Sequence, residues 1–162
     1  MKILSHVLIS LIFLINIGAC TGYKPIFSSS NLEFKIVDYL ILGDKKLGNQ
    51  IYSKLYGLSQ STKNTSEIKN IYVLINASQN KNATAKNSSG KILGYRINLF
   101  TTIAIKDSMT ENEILNNIFS FSSTYKVQDR FSETIKLENQ TIENLIEKTY
   151  QNLLIKLSEN LL

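Results

Sequence analysis

Ile71-Tyr72-Val73-Leu74-Ile75-Asn76-Ala77 and, past a polar turn at Asn87-Ser88-Ser89-Gly90, Leu93-Gly94-Tyr95-Arg96-Ile97-Asn98-Leu99-Phe100-Thr101-Thr102-Ile103-Ala104-Ile105 decide the fold. In the first run Ile71, Val73, Ile75 and Ala77 alternate with more polar neighbours. In the second, the odd positions Leu93, Tyr95, Ile97, Leu99, Ile103 and Ile105 do the same, with Thr101 in the series. Side chains two residues apart share one face of a strand, so period two over this length defines an antiparallel, half-buried pair. The even positions of the second strand are Gly94, Arg96, Asn98, Phe100, Thr102, Ala104 and Lys106. They are mostly polar side chains that need not enter a core, and they form an open face.

Working outward, Ile114 to Val127 places Leu115, Phe119, Phe121, Tyr125 and Val127 on one face and adds a third strand to the meander. On the other side, Leu32 to Leu42 is rich in β-branched and aromatic residues, predicting a strand ended by Gly43-Asp44. Asp44 is an N-cap for a following helix in which Leu47, Ile51, Leu55 and Leu58 recur at helical spacing. Gly48 opposes that helix by ~1 kcal/mol relative to Ala. Ser59 to Asn70 is polar and is expected to be a loop. The chain closes on a long amphipathic helix, carried by Ile142, Leu145, Ile146, Leu153, Leu154, Leu157 and Leu161 and starting between Ser132 and Thr141. The order is β-α-β-β-β-α. This predicts an α+β two-layer sandwich, a mostly antiparallel four-stranded sheet with both helices on one face.

The first residues have a different character. Lys2 is followed by an apolar run, Ile3 to Ile17, that ends in Gly18-Ala19-Cys20. A cation, an apolar stretch and a small-residue junction describe a secretory signal peptide over residues 1–19, to be set apart from the fold. Cys20 directly after Gly-Ala resembles the bacterial lipobox, in which the thiol is diacylglycerylated and becomes the first residue after cleavage. Several acyl chains would hold such a protein on a membrane. The alternative is an uncleaved membrane anchor. Thr21 stands where an Asp would signal retention at the inner membrane, which points to the outer one. Residues 20–31 mix Gly, Pro and Ser and form a lipidated tether. Residues 32–162 form a single domain, as 162 residues with 43% hydrophobic and 19% charged content also indicate. With one cysteine no intramolecular disulfide forms, and stability rests on an ordinary core.

The chemistry available is narrow. His6 is the only histidine and Cys20 the only cysteine. The mature chain therefore has no imidazole to activate a nucleophile and no usual zinc ligand beyond the blocked Cys20. Its glycines are scattered singly, without a phosphate-binding loop. Paired carboxylates, Glu111 with Glu113 or Glu143 with Glu147, are the remaining catalytic device, and the second pair fits a solvated helix face better. The expectation is a protein with no enzymatic activity, metal or cofactor beyond the lipid on Cys20.

Charge is more informative. The chain carries a formal +5, yet no acid occurs between Glu67 and Asp107, where Lys69, Lys81, Lys86, Lys91, Arg96 and Lys106 lie. Positive potential on the central hairpin suits an anionic partner, with Lys as a point charge and Arg able to grip phosphate bidentately. A solvated surface in a Lys- and Asn-rich chain is the other reading. Nucleic acid is excluded as the anion by the exported setting and by the lack of clustered stacking aromatics.

Cys20-Thr21-Gly22-Tyr23-Lys24-Pro25-Ile26-Phe27 resembles the mature start of the lipopolysaccharide-assembly lipoprotein LptE family. There the lipidated Cys is followed by Gly, an aromatic, a spacer, Pro, an apolar residue and an aromatic. Ala83-Thr84-Ala85, Tyr95-Arg96-Ile97-Asn98-Leu99 and Tyr125-Lys126-Val127-Gln128-Asp129 before Arg130-Phe131 are similar to further landmarks of that family, in order. The resemblance implies a non-enzymatic outer-membrane lipoprotein, on the periplasmic side, that plugs an LptD-type β-barrel, assists its assembly and binds lipopolysaccharide during delivery. A polar open face suits a polar barrel lumen. Lys86, Lys91 and Arg96 are the expected contacts to lipopolysaccharide phosphates. Two competing readings are an auxiliary lipoprotein of a phospholipid ABC-transport system and an enzyme using carboxylates alone.

Overall fold

Alternation in the central hairpin and helical spacing on either side of it produce the elements they predict. The structure, a computed structural model, describes residues 32–61 and 68–161. Cys20, the signal peptide, the tether and the Cys20–Phe27 motif lie outside the described residues. The order is β1 (Phe34–Gly43), α1 (Lys45–Ser61), β2 (Lys69–Lys86), β3 (Ile92–Asp107), β4 (Glu113–Lys126) and α2 (Phe131–Leu161). The strands lie side by side as β1-β2-β3-β4. Both β2–β3 and β3–β4 are antiparallel, whereas β1 runs parallel to β2. The sheet is thus mixed, because the α1 crossover returns the chain in the same direction, as a parallel neighbour requires.

The odd-numbered residues of the hairpin form the core face. Ile71, Val73, Ile75, Ala77, Ile97, Leu99, Ile103 and Ile105 are buried, joined by Leu115, Phe119 and Tyr125 of β4. Leu47, Ile51, Leu55 and Leu58 of α1 and Leu145, Ile146, Leu153 and Leu157 of α2 close over them. Each fully buried side chain of this kind contributes ~1.5–3 kcal/mol. The helices touch along their own boundary, where Lys54 Nζ meets Glu147 Oε2 at 2.8 Å. Leu93, expected on the core face, is 44% exposed because it lies near the hairpin tip, at the end of the core-facing series.

Local chemistry fixes the joints. Asp44 Oδ1 accepts hydrogen bonds from the amides of Lys46 (3.0 Å) and Leu47 (3.2 Å), the N-cap of α1. Gly43 has φ 70°, open to glycine and strained for other residues. Gly48 faces the branch methyl of Ile41 with no room for a Cβ, so a residue that weakens the helix lets α1 lie close on β1. Ser59 to Ser61, expected in the loop, extend α1 instead. Leu58 and Ser59 are buried there, and Ser59 Oγ donates to the Tyr56 carbonyl at 2.8 Å, which lets a polar residue stay inside the helix end. The last helix begins at Phe131, one residue before the expected range.

β1 departs from simple alternation. Its register against β2 shifts between Ile36 and Asp38. Such a bulge exchanges the faces of the residues beyond it. Phe34 and Ile36 are buried, but after Val37 it is the odd positions that face the helices: Ile41 packs half-buried against the core, and Tyr39, still exposed at the sheet edge, stacks on Tyr52 of α1 at 4.0 Å between ring centroids. Val37, Leu40 and Leu42 are left exposed. Among the described residues no helix is long and apolar enough to cross a membrane.

Candidate functional site

The open face is built from the even positions of β2, β3 and β4. Register places Arg96 between Asn82 and Thr124, Asn98 between Asn80 and Ser122, Phe100 between Ser78 and Ser120, and Thr102 between Asn76 and Ile118. Asn80 Oδ1 accepts from Asn98 Nδ2 at 2.6 Å and from Asn82 Nδ2 at 3.3 Å, a short amide ladder across the hairpin. The face has two zones. Toward the tip it is amide, hydroxyl and guanidinium, while Leu40, Leu42, Phe100 and Ile118 form an exposed apolar zone farther back. The polar character expected for this face holds for the tip half; the β1 bulge brings leucines to the other half.

The hairpin tip is rigidly made. Asn87 Oδ1 accepts from the amides of Ser89 (3.0 Å) and Lys91 (2.9 Å), and the Gly90 amide donates to the Asn87 carbonyl at 3.0 Å. Gly90, at φ 81°, supplies the left-handed residue of this turn. Lys86 pairs with Ile92 directly across the tip, so Lys86 and Lys91 flank the same turn. Arg96 lies four residues past Ile92 on the open face, roughly 13 Å further along the strand. The structure therefore sets the three residues on one strip rather than in one cluster. All three are exposed, and none is in an ion pair among the described residues. Lys126, opposite Gly94 at the end of β4, extends the strip. Sequence reasoning passed over it because it belongs to the acid-rich final third; its even position on the third strand was the available signal.

The other cations of the acid-free segment serve different ends. Lys81 points to the core face, where its Nζ lies 2.6 Å from Glu138 Oε2 and 4.4 Å from the Tyr95 ring centre. Tyr125 donates its hydroxyl proton to the same Glu138 oxygen at 2.8 Å. Burial pushes the Glu138 carboxyl up, but the hydrogen bonds from Lys81 and Tyr125 and the Lys81 charge outweigh it and hold the carboxyl below its ordinary value. Lys106, at the far end of β3, shares a depression with Asp38, Asp107 and Glu111. Asp107 is held below its ordinary value, chiefly by the amides of Thr110 and Met109. An acid-free sequence is thus not acid-free in space. Neutralisation at Lys81 and at the base leaves the unpaired positive charge at the tip.

One carboxylate of each pair named from the sequence has partners of its own. Glu147 is tied to Lys54, whose hydrogen bond lowers its pKa against the effect of burial, and Glu147 Oε1 also accepts from Gln151 Nε2 at 3.0 Å. Glu113 accepts from Asn116 Nδ2 at 3.1 Å, and Glu111 sits in the preceding turn at φ 57°.

No known family model matches the chain, and no curated protein matches it in sequence. Solved structures do match in fold. Uncharacterized lipoprotein B from Nitrosomonas europaea superposes with a TM-score of 0.57 at 14% identity, over 82% of this chain and 88% of that one. A minor lipoprotein from Acinetobacter baumannii gives 0.55 at 14% identity, over 80% and 94%. Rare lipoprotein B from Shewanella oneidensis gives 0.52 at 12% identity, over 75% and 94%. The chain has the fold of these bacterial lipoproteins.

Proposed function

We propose that this chain is a non-enzymatic lipoprotein of the outer membrane, anchored on the periplasmic side through acyl chains on Cys20. In this reading it seats inside an LptD-type β-barrel, assists that barrel's assembly and binds lipopolysaccharide on its way to the outer leaflet. The observation that carries the reading is the fold shared with rare lipoprotein B of Shewanella oneidensis, taken with the resemblance of Cys20–Phe27 to the mature start of LptE lipoproteins. The tip supports it. Lys86, Lys91 and Arg96, with Lys126 beside them, leave their charge unpaired among the described residues. Phosphates on a glycolipid would meet ammonium and guanidinium donors there without displacing an internal partner. The lumen of an outer-membrane barrel is polar and suits the amide-lined half of the open face.

The site is tested by reversing charge at Lys86, Lys91 and Arg96 together and measuring lipopolysaccharide binding to the lipidated protein. Binding should fall by roughly tenfold or more for the triple variant, each tenfold being about 1.4 kcal/mol. Undiminished binding removes the phosphate role of the tip.

A further inference from the structure

β2 is longer than the strand beside it. The pairing with β1 ends at Gly43 opposite Ala77, where the chain turns away into α1, while β2 continues to Lys86 with β3 as its only neighbour among the described residues. Ser78 to Lys86 are all exposed, so no helix covers this edge. Its backbone polarity follows from one bond. The Ala77 carbonyl accepts from the Asp44 amide at 2.7 Å, on the β1 side. In an extended strand the N–H and C=O of one residue point the same way and alternate with the next. Gln79, Lys81 and Ala83 therefore aim their backbone donors and acceptors at the position β1 has vacated.

Natural edges are usually guarded by lysines, prolines or bulges. Here Lys81 is drawn to the core face by Glu138 and does not guard the edge. No proline occurs in β2. The register shifts begin only after Ala83, and Lys86 stands beyond them. A run from Ser78 to Ala83 is left, fit for main-chain pairing and flanked by the unpaired cations of the tip.

We propose that the free edge of β2 from Ser78 to Ala83 takes an added strand, an extended loop segment of the barrel partner bearing Asp or Glu side chains. The inference rests on the barrel reading above and adds to it the manner of attachment. A second polypeptide backbone completes such a ladder, and Asp or Glu side chains on it complement Lys86, the cation shared between this edge and the phosphate strip.

The test uses the full lipidated protein purified with its barrel. Gln79→Pro removes a donor aimed at the edge and leaves the β3 ladder intact, as proline is tolerated at such positions. Barrel recovery should drop by about tenfold while the melting temperature of the free protein stays unchanged. Ala83→Pro serves as the second variant should Gln79→Pro melt early. Hydrogen exchange should show residues 78–83 protected in the complex and not in the free protein, and a carbodiimide cross-link should join Lys86 to an Asp or Glu of the protected partner segment. Equal barrel recovery by both variants with residues 78–83 exchanging freely, or protection at the β4 edge instead, overturns strand addition and leaves the barrel reading standing. If the wild-type protein recovers no barrel, the reading fails and strand addition to it fails too.

Discussion

Lys81 and Glu138, 57 positions apart in the chain, meet at 2.6 Å and tie the central hairpin to the long final helix. Tyr125 shares the same carboxylate oxygen, and the Tyr95 and Tyr125 rings lie near the ammonium. The contact takes one of the six cations of the acid-free segment out of any anion site. It also fixes the inner face of β2 just where the outer edge is unpaired.

Glu138→Gln should therefore destabilise the fold by about 1 kcal/mol at neutral pH, a value between an exposed ion pair and a buried charged hydrogen bond. Because the folded carboxyl lies below its ordinary value, its contribution is present in full above the ordinary carboxylate range. It is lost as pH falls through the lowered value. Urea unfolding of wild type and variant at a series of acid pH values should show the gap closing. A gap that persists into strong acid contradicts this assignment.

The Gly48–Ile41 contact gives a prediction opposite to helix propensity. Gly48→Ala should gain ~1 kcal/mol from propensity but force Ile41 away, with a net loss of about 1 kcal/mol from overpacking. In an Ile41→Ala background the same change should become stabilising, a non-additivity visible in a double-mutant cycle. Gly57→Ala, where a Cβ meets open space, should stabilise by roughly 1 kcal/mol without any second change. Thermal unfolding of the four variants decides the matter.

Thr101 is 1% exposed on the core face of β3, and its hydroxyl has no hydrogen-bond partner among the described residues. Thr101→Val keeps the branched shape and removes the buried hydroxyl, so it should stabilise by about 1 kcal/mol. A loss of stability measured by denaturant would mean that the hydroxyl is satisfied in solution.

Most of the architecture was legible because the signals are local. Period two at Ile71 to Ala77 and Leu93 to Ile105 set the hairpin, and Asp44 marked the start of α1. What escaped depends on contacts between distant residues. The bulge at Val37 reverses the faces of β1, and nothing in its neighbours' apolarity announces this. Ser59 reads as a loop residue until its carbonyl partner in the preceding turn is seen. At the candidate site, the cations of the acid-free stretch were identifiable by charge alone. Their sorting was not, since Lys81 owes its role to Glu138 and Lys106 has Asp38 as a neighbour only through strand pairing. Lys126 was hidden for the converse reason, being basic in an acidic stretch and brought to the tip by register.

The most direct measurement is affinity purification of the tagged, lipidated protein from detergent-solubilised membranes, with the bound proteins identified. The account predicts one large, heat-modifiable β-barrel in stoichiometric amount as the principal partner. Inner-membrane transporter components in its place would contradict the account and favour an auxiliary lipoprotein of phospholipid transport.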